Sequence, residues 1–291
     1  MALSYTKVTH NKTYAQIAPT LPHLSAVHKT VLIVGGSAGI GKATALAFLD
    51  AGAQRLALTG RREDALSSTA AEIAAKYPKA NVMIFAVDVT DAKGMNDAVA
   101  CVKDRLGPAD VIVNSAGVVG PLKPLASSDL STWWSAFETN VKGAAVLAQA
   151  VTKHASPSAT FLQLSTAGVL FPASPGFPIS GYAASKLAVT KIMEYFGAEN
   201  PSLKVMNIHP GVIVDTPGGK KMVEESGVEF DGDDINLPAH FLVWTASEEA
   251  VFLKNKFVFA TWDIDELKER KEEIMSSPEL ILGLNGFPRH T

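Results

Sequence analysis

The stretch from Thr30 to Gly52 constrains the fold more than any other in the chain. Thr30-Val31-Leu32-Ile33-Val34 is a short apolar, β-branched run that suits a strand covered on both faces, and it stops at Gly35-Gly36-Ser37-Ala38-Gly39-Ile40-Gly41. A helical pattern follows from Lys42 to Asp50 and ends at Gly52. Between strand and helix, glycines let a phosphate reach main-chain N–H groups at a helix N-terminus, where the macrodipole favours an anion. The turn carrying Gly35, Ser37, Gly39, Ile40 and Gly41 is therefore expected to bind a nucleotide rather than to serve only as a tight loop.

The strand and helix alternation then repeats. Arg55 to Thr59 reads as a second strand, and a helix from about Arg62 to Tyr77 is closed by Pro78. Asn81 to Val87 is a third strand; Thr90 or Asp91 caps the next helix, which runs to Leu106. Asp110 to Val113 is a fourth strand, and Ser128 or Asp129 can cap a long helix running to about His154. Inside it lie Asn140 and Gly143, poor residues for a helix interior, which predicts a local distortion unless Asn140 is simply a satisfied core amide. Ala159 to Leu164, Leu203 to Ile208 and Lys256 to Ala260 complete the strands, and a polar helix from Asp263 to about Met275 closes the pattern. Such alternation predicts an α/β fold: one doubly wound parallel sheet of about seven strands, a Rossmann fold, with helices on both faces. No composition break marks a second domain, so residues 29–291 read as one unit preceded by a leader, 1–28, that packs on its surface or is partly disordered.

At 291 residues the chain is long enough to bury a large core. A net charge of -3 without a basic stripe argues against a nucleic-acid partner. The single cysteine, Cys101, cannot form an internal disulfide and sits on an apparent apolar helix face, which reads as a structural thiol. No run approaches the ~20 apolar residues of a membrane helix, and the leader lacks a signal-peptide core. The expectation is a cytoplasmic protein without a membrane partner. His154 and His209 are isolated, so no metal site is expected.

The ends of the strands carry the candidate site. Beyond the second strand, Gly60 stands where a ribose-binding carboxylate would be expected, followed by Arg61 and Arg62. Arginine suits a 2′-phosphate, which points to NADP(H) over NAD, the alternative being two solvated arginines opening a helix. Asp88, followed by Val89, either accepts the adenine amino group or caps a turn. Asn114-Ser115-Ala116-Gly117 ends the fourth strand with residues small enough for a flat cofactor. Ser165 and Thr166 end the fifth. Tyr182 and Lys186, four residues apart in a helix-favouring segment, leave one helix face, where the ammonium favours the phenolate and tunes a proton exchanger. The loop from Phe171 to Pro178, rich in proline and phenylalanine, lines an apolar substrate pocket or pins itself down.

This ordered set resembles the short-chain dehydrogenase/reductase family over Lys29 to Ala260, in a style similar to fungal NADP-dependent members that reduce secondary-metabolite ketones. The glycine turn from Val34 to Gly41, Asn114 to Gly117, Asn140, Ser165 with Gly168 after it, Tyr182 with Lys186, and Pro210-Gly211 carry the likeness. Val34 departs from the family's threonine and Ser115 from its second asparagine. The Ser165 to Tyr182 interval is also longer by about four residues, which keeps Thr166 as a rival to Ser165. The resemblance implies an NADPH-dependent oxidoreductase acting on a small carbonyl or alcohol. Tyr182 gives the proton, Lys186 favours the phenolate and holds the nicotinamide ribose, and Ser165 bonds the carbonyl oxygen. Asn140 anchors a proton-carrying water, and Ile213 and Thr216 contact the cofactor with an uncertainty of one position. It further implies a homodimer or homotetramer packed through the Asn140 and Tyr182 helices. A non-redox isomerase or dehydratase on the same scaffold and a dinucleotide-sensing protein are the rivals, and a sensor has no need of the Ser-Tyr-Lys set.

Overall fold

The computed structural model describes residues 4–174 and 176–284. Seven strands run in parallel in the order β3-β2-β1-β4-β5-β6-β7. They are β1 (Thr30–Val34), β2 (Arg55–Gly60), β3 (Asn81–Ala86), β4 (Val111–Asn114), β5 (Thr160–Leu164), β6 (Lys204–His209) and β7 (Phe257–Phe259). The order reverses between β1 and β4, which opens a crevice at the carboxyl ends of those strands.

Both faces of the sheet are covered, and the period-2 alternation of each strand distributes its side chains between two cores. Val31, Ile33, Val113, Leu162, Met206 and Ile208 point into one, with Phe48 of α1 (Gly39–Asp50), Leu66 and Ile73 of α2 (Glu63–Lys76) and Trp244 of α8 (Asn236–Thr245). Leu32, Ile112, Phe161 and Val205 point into the other, with Met95 of α3 (Ala92–Leu106), Leu147 of α5 (Gly143–His154) and Val189 of α6 (Ser180–Glu199). α4 (Leu130–Phe137) and α7 (Pro217–Ser226) lie in the connections on the ligand side, and α9 (Ile264–Glu269) and α10 (Lys271–Ser276) follow β7. Residues 4–28 add Ile17 and Leu24 to the first core and run beside α8 and α9.

One sequence expectation is met and two elements depart from theirs, each for a physical reason. The long helix is interrupted by a π-turn, Glu138–Lys142, centred on Asn140, so the distortion expected from its asparagine is present. The polar C-terminal helix is two short ones meeting at Arg270; Asp263 caps the first by taking the N–H groups of Asp265 and Glu266, and no side chain caps the second. α8 was not foreseen because Leu237, Phe241, Leu242, Val243 and Trp244 are all buried, so no polar stripe betrays a helical period.

Candidate active site

The glycine turn is built by close approach. Gly35 has φ +86°, and a Cβ there would sit 2.8 Å from the Ala116 nitrogen; at Gly41 it would sit 2.2 Å from the Gly35 carbonyl oxygen. Ser115 donates to the Val34 carbonyl at 2.9 Å, so the serine that departs from the family pattern braces the turn whose own hydroxyl is missing at Val34. No side chain caps α1, so the first-turn N–H groups beside Gly39 and Ile40 are left facing the crevice. Thr216, which caps α7 by accepting the Gly219 N–H at 3.0 Å, lies against Gly39: a Cβ there would meet its Cγ2 at 3.1 Å. Gly41→Ala is expected to push the turn apart and cost ~1–3 kcal/mol as overpacking, read as a lower urea midpoint with an unchanged m-value.

A cavity of about 1370 Å³ extends from this turn across the sheet edge. Such a volume exceeds what one ordinary small ligand fills and accommodates a dinucleotide with a second molecule. At one end are Gly35, Ser37, Gly39, Ile40, Gly41, Arg61, Arg62, Asp88 and Val89; Ala116, Gly117, Ile213 and Thr216 line its middle; Ser165, Thr166, Tyr182 and Lys186 meet farther along. Asp88 fills the turn role foreseen for it, accepting the N–H and hydroxyl of Thr90 at 2.9 and 2.8 Å, while still lining the cavity. Burial pushes its carboxyl up, but the Thr90 bonds and the Arg61 charge outweigh this and hold it below the ordinary carboxylate value. Asp91, not Thr90, caps α3.

Asn114 and Asn140 stand behind the wall rather than in it. Asn114 donates to Gln163 at 2.8 Å and ties β4 to β5. The Asn140 amide donates to the Val118 carbonyl and to Ser185 Oγ, both at 2.9 Å, and accepts the Val118 N–H at 2.8 Å. Both of its N–H donors are thus engaged, and the π-turn that presents it clamps the segment after β4 to α6. Gly117 makes the junction possible: a Cβ there would lie 3.1 Å from Asn140 Oδ1 and 3.3 Å from Lys186 Nζ.

The two hydroxyls at the end of β5 are held differently. Thr190 donates to the Lys186 carbonyl at 2.8 Å, so in its 2.7 Å contact with buried Ser165 it is the acceptor and Ser165 the donor. The one proton of Ser165 is thereby committed to the core. Thr166 accepts the Gly168 N–H at 3.2 Å, which orients its hydroxyl, and that hydroxyl lies beside the Tyr182 phenol. What separates the two is the Thr190 hydroxyl, 25 residues along the chain from Ser165, a contact that linear spacing does not reveal.

Tyr182 and Lys186 leave the same face of α6, but their electrostatics differ from the simple expectation. Burial pushes the Tyr182 phenol up to about 12, and Thr166 offsets only part of this. Lys186 donates to the Leu164 carbonyl at 2.8 Å, and burial lowers its amine to about 8. The phenol is thus held protonated and the amine is largely charged near neutrality.

The far end of the cavity is apolar and was only partly legible. Phe171 and Phe177 of the β5–α6 loop line it, as the sequence suggested, joined by Met222, Val223 and Phe230. Phe177 meets Phe230 edge to face at 5.9 Å. Beneath them His209 is buried with Nδ1 unpartnered, its ring edge-on to Phe259 at 4.6 Å; burial lowers the imidazole to about 4, so it is neutral. Among the described residues there is no group of three or more His, Cys, Asp or Glu placed to hold a metal, and no helix is long and apolar enough to cross a membrane.

Comparison with known proteins accords with this architecture. The solved structure of levodione reductase superposes with a TM-score of 0.75 at 23% identity, covering 81% of this chain and 96% of its own. A short chain dehydrogenase of Shigella flexneri complexed with NADP superposes at 0.73 with 20% identity, over 82% and 99%. In sequence, the short chain dehydrogenase/reductase AacuD of Aspergillus aculeatus is 32% identical over 285 residues, 96% of each chain. The sequence pattern of the family described as short chain dehydrogenase matches residues 29–227, which span the glycine turn, Thr166, Tyr182 and Lys186, and the chain belongs to that family of oxidoreductases.

Proposed function

We propose that this protein is an NADPH-dependent reductase that converts a ketone of a small apolar or aromatic molecule, of the kind met in secondary metabolism, to the secondary alcohol. One observation carries the reading: an oriented hydroxyl on Thr166, a protonated phenol on Tyr182 and a charged amine on Lys186 meet at the end of a cavity whose opposite end is an uncapped helix N-terminus with Arg61 beside it. The dinucleotide fits the residues present, since the close-packed glycine turn leaves main-chain N–H groups open to a pyrophosphate. When bound, it supplies the hydride.

The residues do the rest. Thr166 and Tyr182 both supply O–H groups to a substrate oxygen bound at this end of the cavity, and the phenol gives up its proton as negative charge grows there. Lys186, fixed by the Leu164 carbonyl, carries a positive charge beside the phenol and eases its ionisation as the proton leaves. Asn140 sets the height of α6 against the segment after β4. Phe171, Phe177, Met222 and Phe230 exclude water and select an apolar substrate. Arg61, exposed next to Asp88, is placed for a 2′-phosphate, and the NADP bound to the Shigella flexneri relative points the same way. Self-association follows through α4 and α6, where Leu130, Trp134, Leu187 and Tyr195 are exposed.

The test is NADPH oxidation against aromatic and polyketide-like ketones, with NADH in parallel; isomerisation or dehydration without stoichiometric NADPH consumption would overturn the reading. Arg61→Ala is expected to weaken NADPH about 10- to 100-fold, the value of a charge-assisted contact, and to leave NADH nearly unchanged, as read by fluorescence titration.

A further inference from the structure

The loop between α7 and α8, residues 227–235, carries Phe230 onto Phe177 and so closes the apolar end of the cavity. It is held at two adjacent residues. Asp233 accepts the Val212 N–H through its carboxylate at 2.7 Å and returns its own N–H to the Val212 carbonyl at 2.8 Å. That carboxylate occupies the space a side chain on Gly211 would need, 2.5 Å from where its Cβ would stand. The next residue, Asp234, donates its N–H at 2.8 Å to the carbonyl of Asn11. The N-terminal segment thus holds the same loop from its other side.

That segment is itself anchored away from the loop. His10 pairs with Asp263 at 2.8 Å, stacks on Tyr14 at 3.6 Å and donates its main-chain N–H to the Thr261 carbonyl. Thr9 bridges Trp262, and Lys7 and Val8 donate to the Glu266 carboxylate. Thr261 and the Phe259 ring, on which Trp262 stacks at 4.5 Å, line the same cavity. The region matched by the family, 29–227, ends where the loop begins and starts after the N-terminal segment, so the two parts that lie outside the common pattern touch each other.

We propose that residues 9–11 are a positioning element for substrate: clamped to the β7–α9 corner by His10, they hold Asp234 and thereby set the depth at which Phe230 closes the apolar pocket. Because residues 9–11 touch no cofactor-lining residue of the glycine turn, the effect falls on carbonyl substrates long enough to reach Phe230. The proposal rests on the reading of that end as the substrate end.

The experiment compares the full chain with a variant lacking residues 2–11, which retains Tyr14 and Ile17, and with the milder His10→Ala. Amide hydrogen exchange at residues 228–235 is expected to rise about 3- to 10-fold in the shortened chain, the equivalent of one main-chain hydrogen bond, and by less in His10→Ala, with α1 and α6 unchanged. With NADPH, KM for 9,10-phenanthrenequinone rises while KM for 2,3-butanedione and both kcat values hold. Unchanged exchange in that loop overturns the proposal, as does an equal rise throughout the molecule, which would mark a loss of general stability. If the full chain reduces neither probe, the reductase reading fails, and the exchange comparison still decides whether the segment holds the loop.

Discussion

Tyr182→Phe is expected to lower NADPH-dependent turnover by about 10²- to 10⁴-fold, the usual range for removing a positioned general acid, while leaving NADPH affinity within a factor of two or so. The separation of the two effects follows from the geometry. The phenol stands with Thr166 at the end of the cavity where we propose the reaction occurs, whereas the uncapped α1 terminus and Arg61 lie at the other. Phenylalanine keeps the ring and its packing on α6, so a fall in thermal midpoint is not expected to accompany the loss. A group held near 12 is fully protonated at neutral pH and is stocked to donate, which suits reduction; oxidation needs the phenolate. Single-turnover rates against ketone, with NADPH binding followed by fluorescence, check both halves. Retained turnover would remove Tyr182 as the proton donor and leave Thr166 without its partner.

The fold was legible in the sequence where its physics is local. β1, the glycine turn and α1 announce themselves because a strand covered on both faces is apolar throughout and the turn cannot tolerate side chains, as the 2.2 Å approach at Gly41 makes concrete. The kinked region around Asn140 was legible for a similar reason: a residue poor in helices persists only where the surroundings hold it, here Val118 and Ser185. What stayed hidden depends on contacts between distant segments. α8 gives no periodic signal because it is buried all round. Phe230 enters the pocket only because residues 227–235 fold back over the β5–α6 loop, and nothing in its neighbourhood along the chain marks it. The Ser115 brace behind Val34 is of the same kind, a hydroxyl relocated across two strands that residue-by-residue matching counts as two departures.

The choice between Ser165 and Thr166 joins both kinds of information, and the two alanine variants should separate cleanly. Thr166→Ala removes a hydroxyl that the Gly168 N–H orients beside the Tyr182 phenol, so it is expected to lower kcat/KM by about 10²- to 10³-fold, the usual consequence of deleting one donor to a developing oxyanion. Thr166→Ser should recover most of that loss, because the hydroxyl returns and only a methyl is missing. Ser165→Ala does something different. It deletes a donor whose acceptor, Thr190, keeps its own bond to the Lys186 carbonyl, so no buried proton is orphaned and stability falls by ~1 kcal/mol, with kcat/KM within a few-fold of the parent. Steady-state kinetics and urea midpoints on the three proteins read these outcomes side by side. A large kinetic loss in Ser165→Ala with Thr166→Ala nearly intact would return the oxyanion role to Ser165. It would also require the Ser165–Thr190 bond to open or to reverse its direction when substrate binds, because a hydroxyl has one proton and cannot donate it to the core and the carbonyl at once.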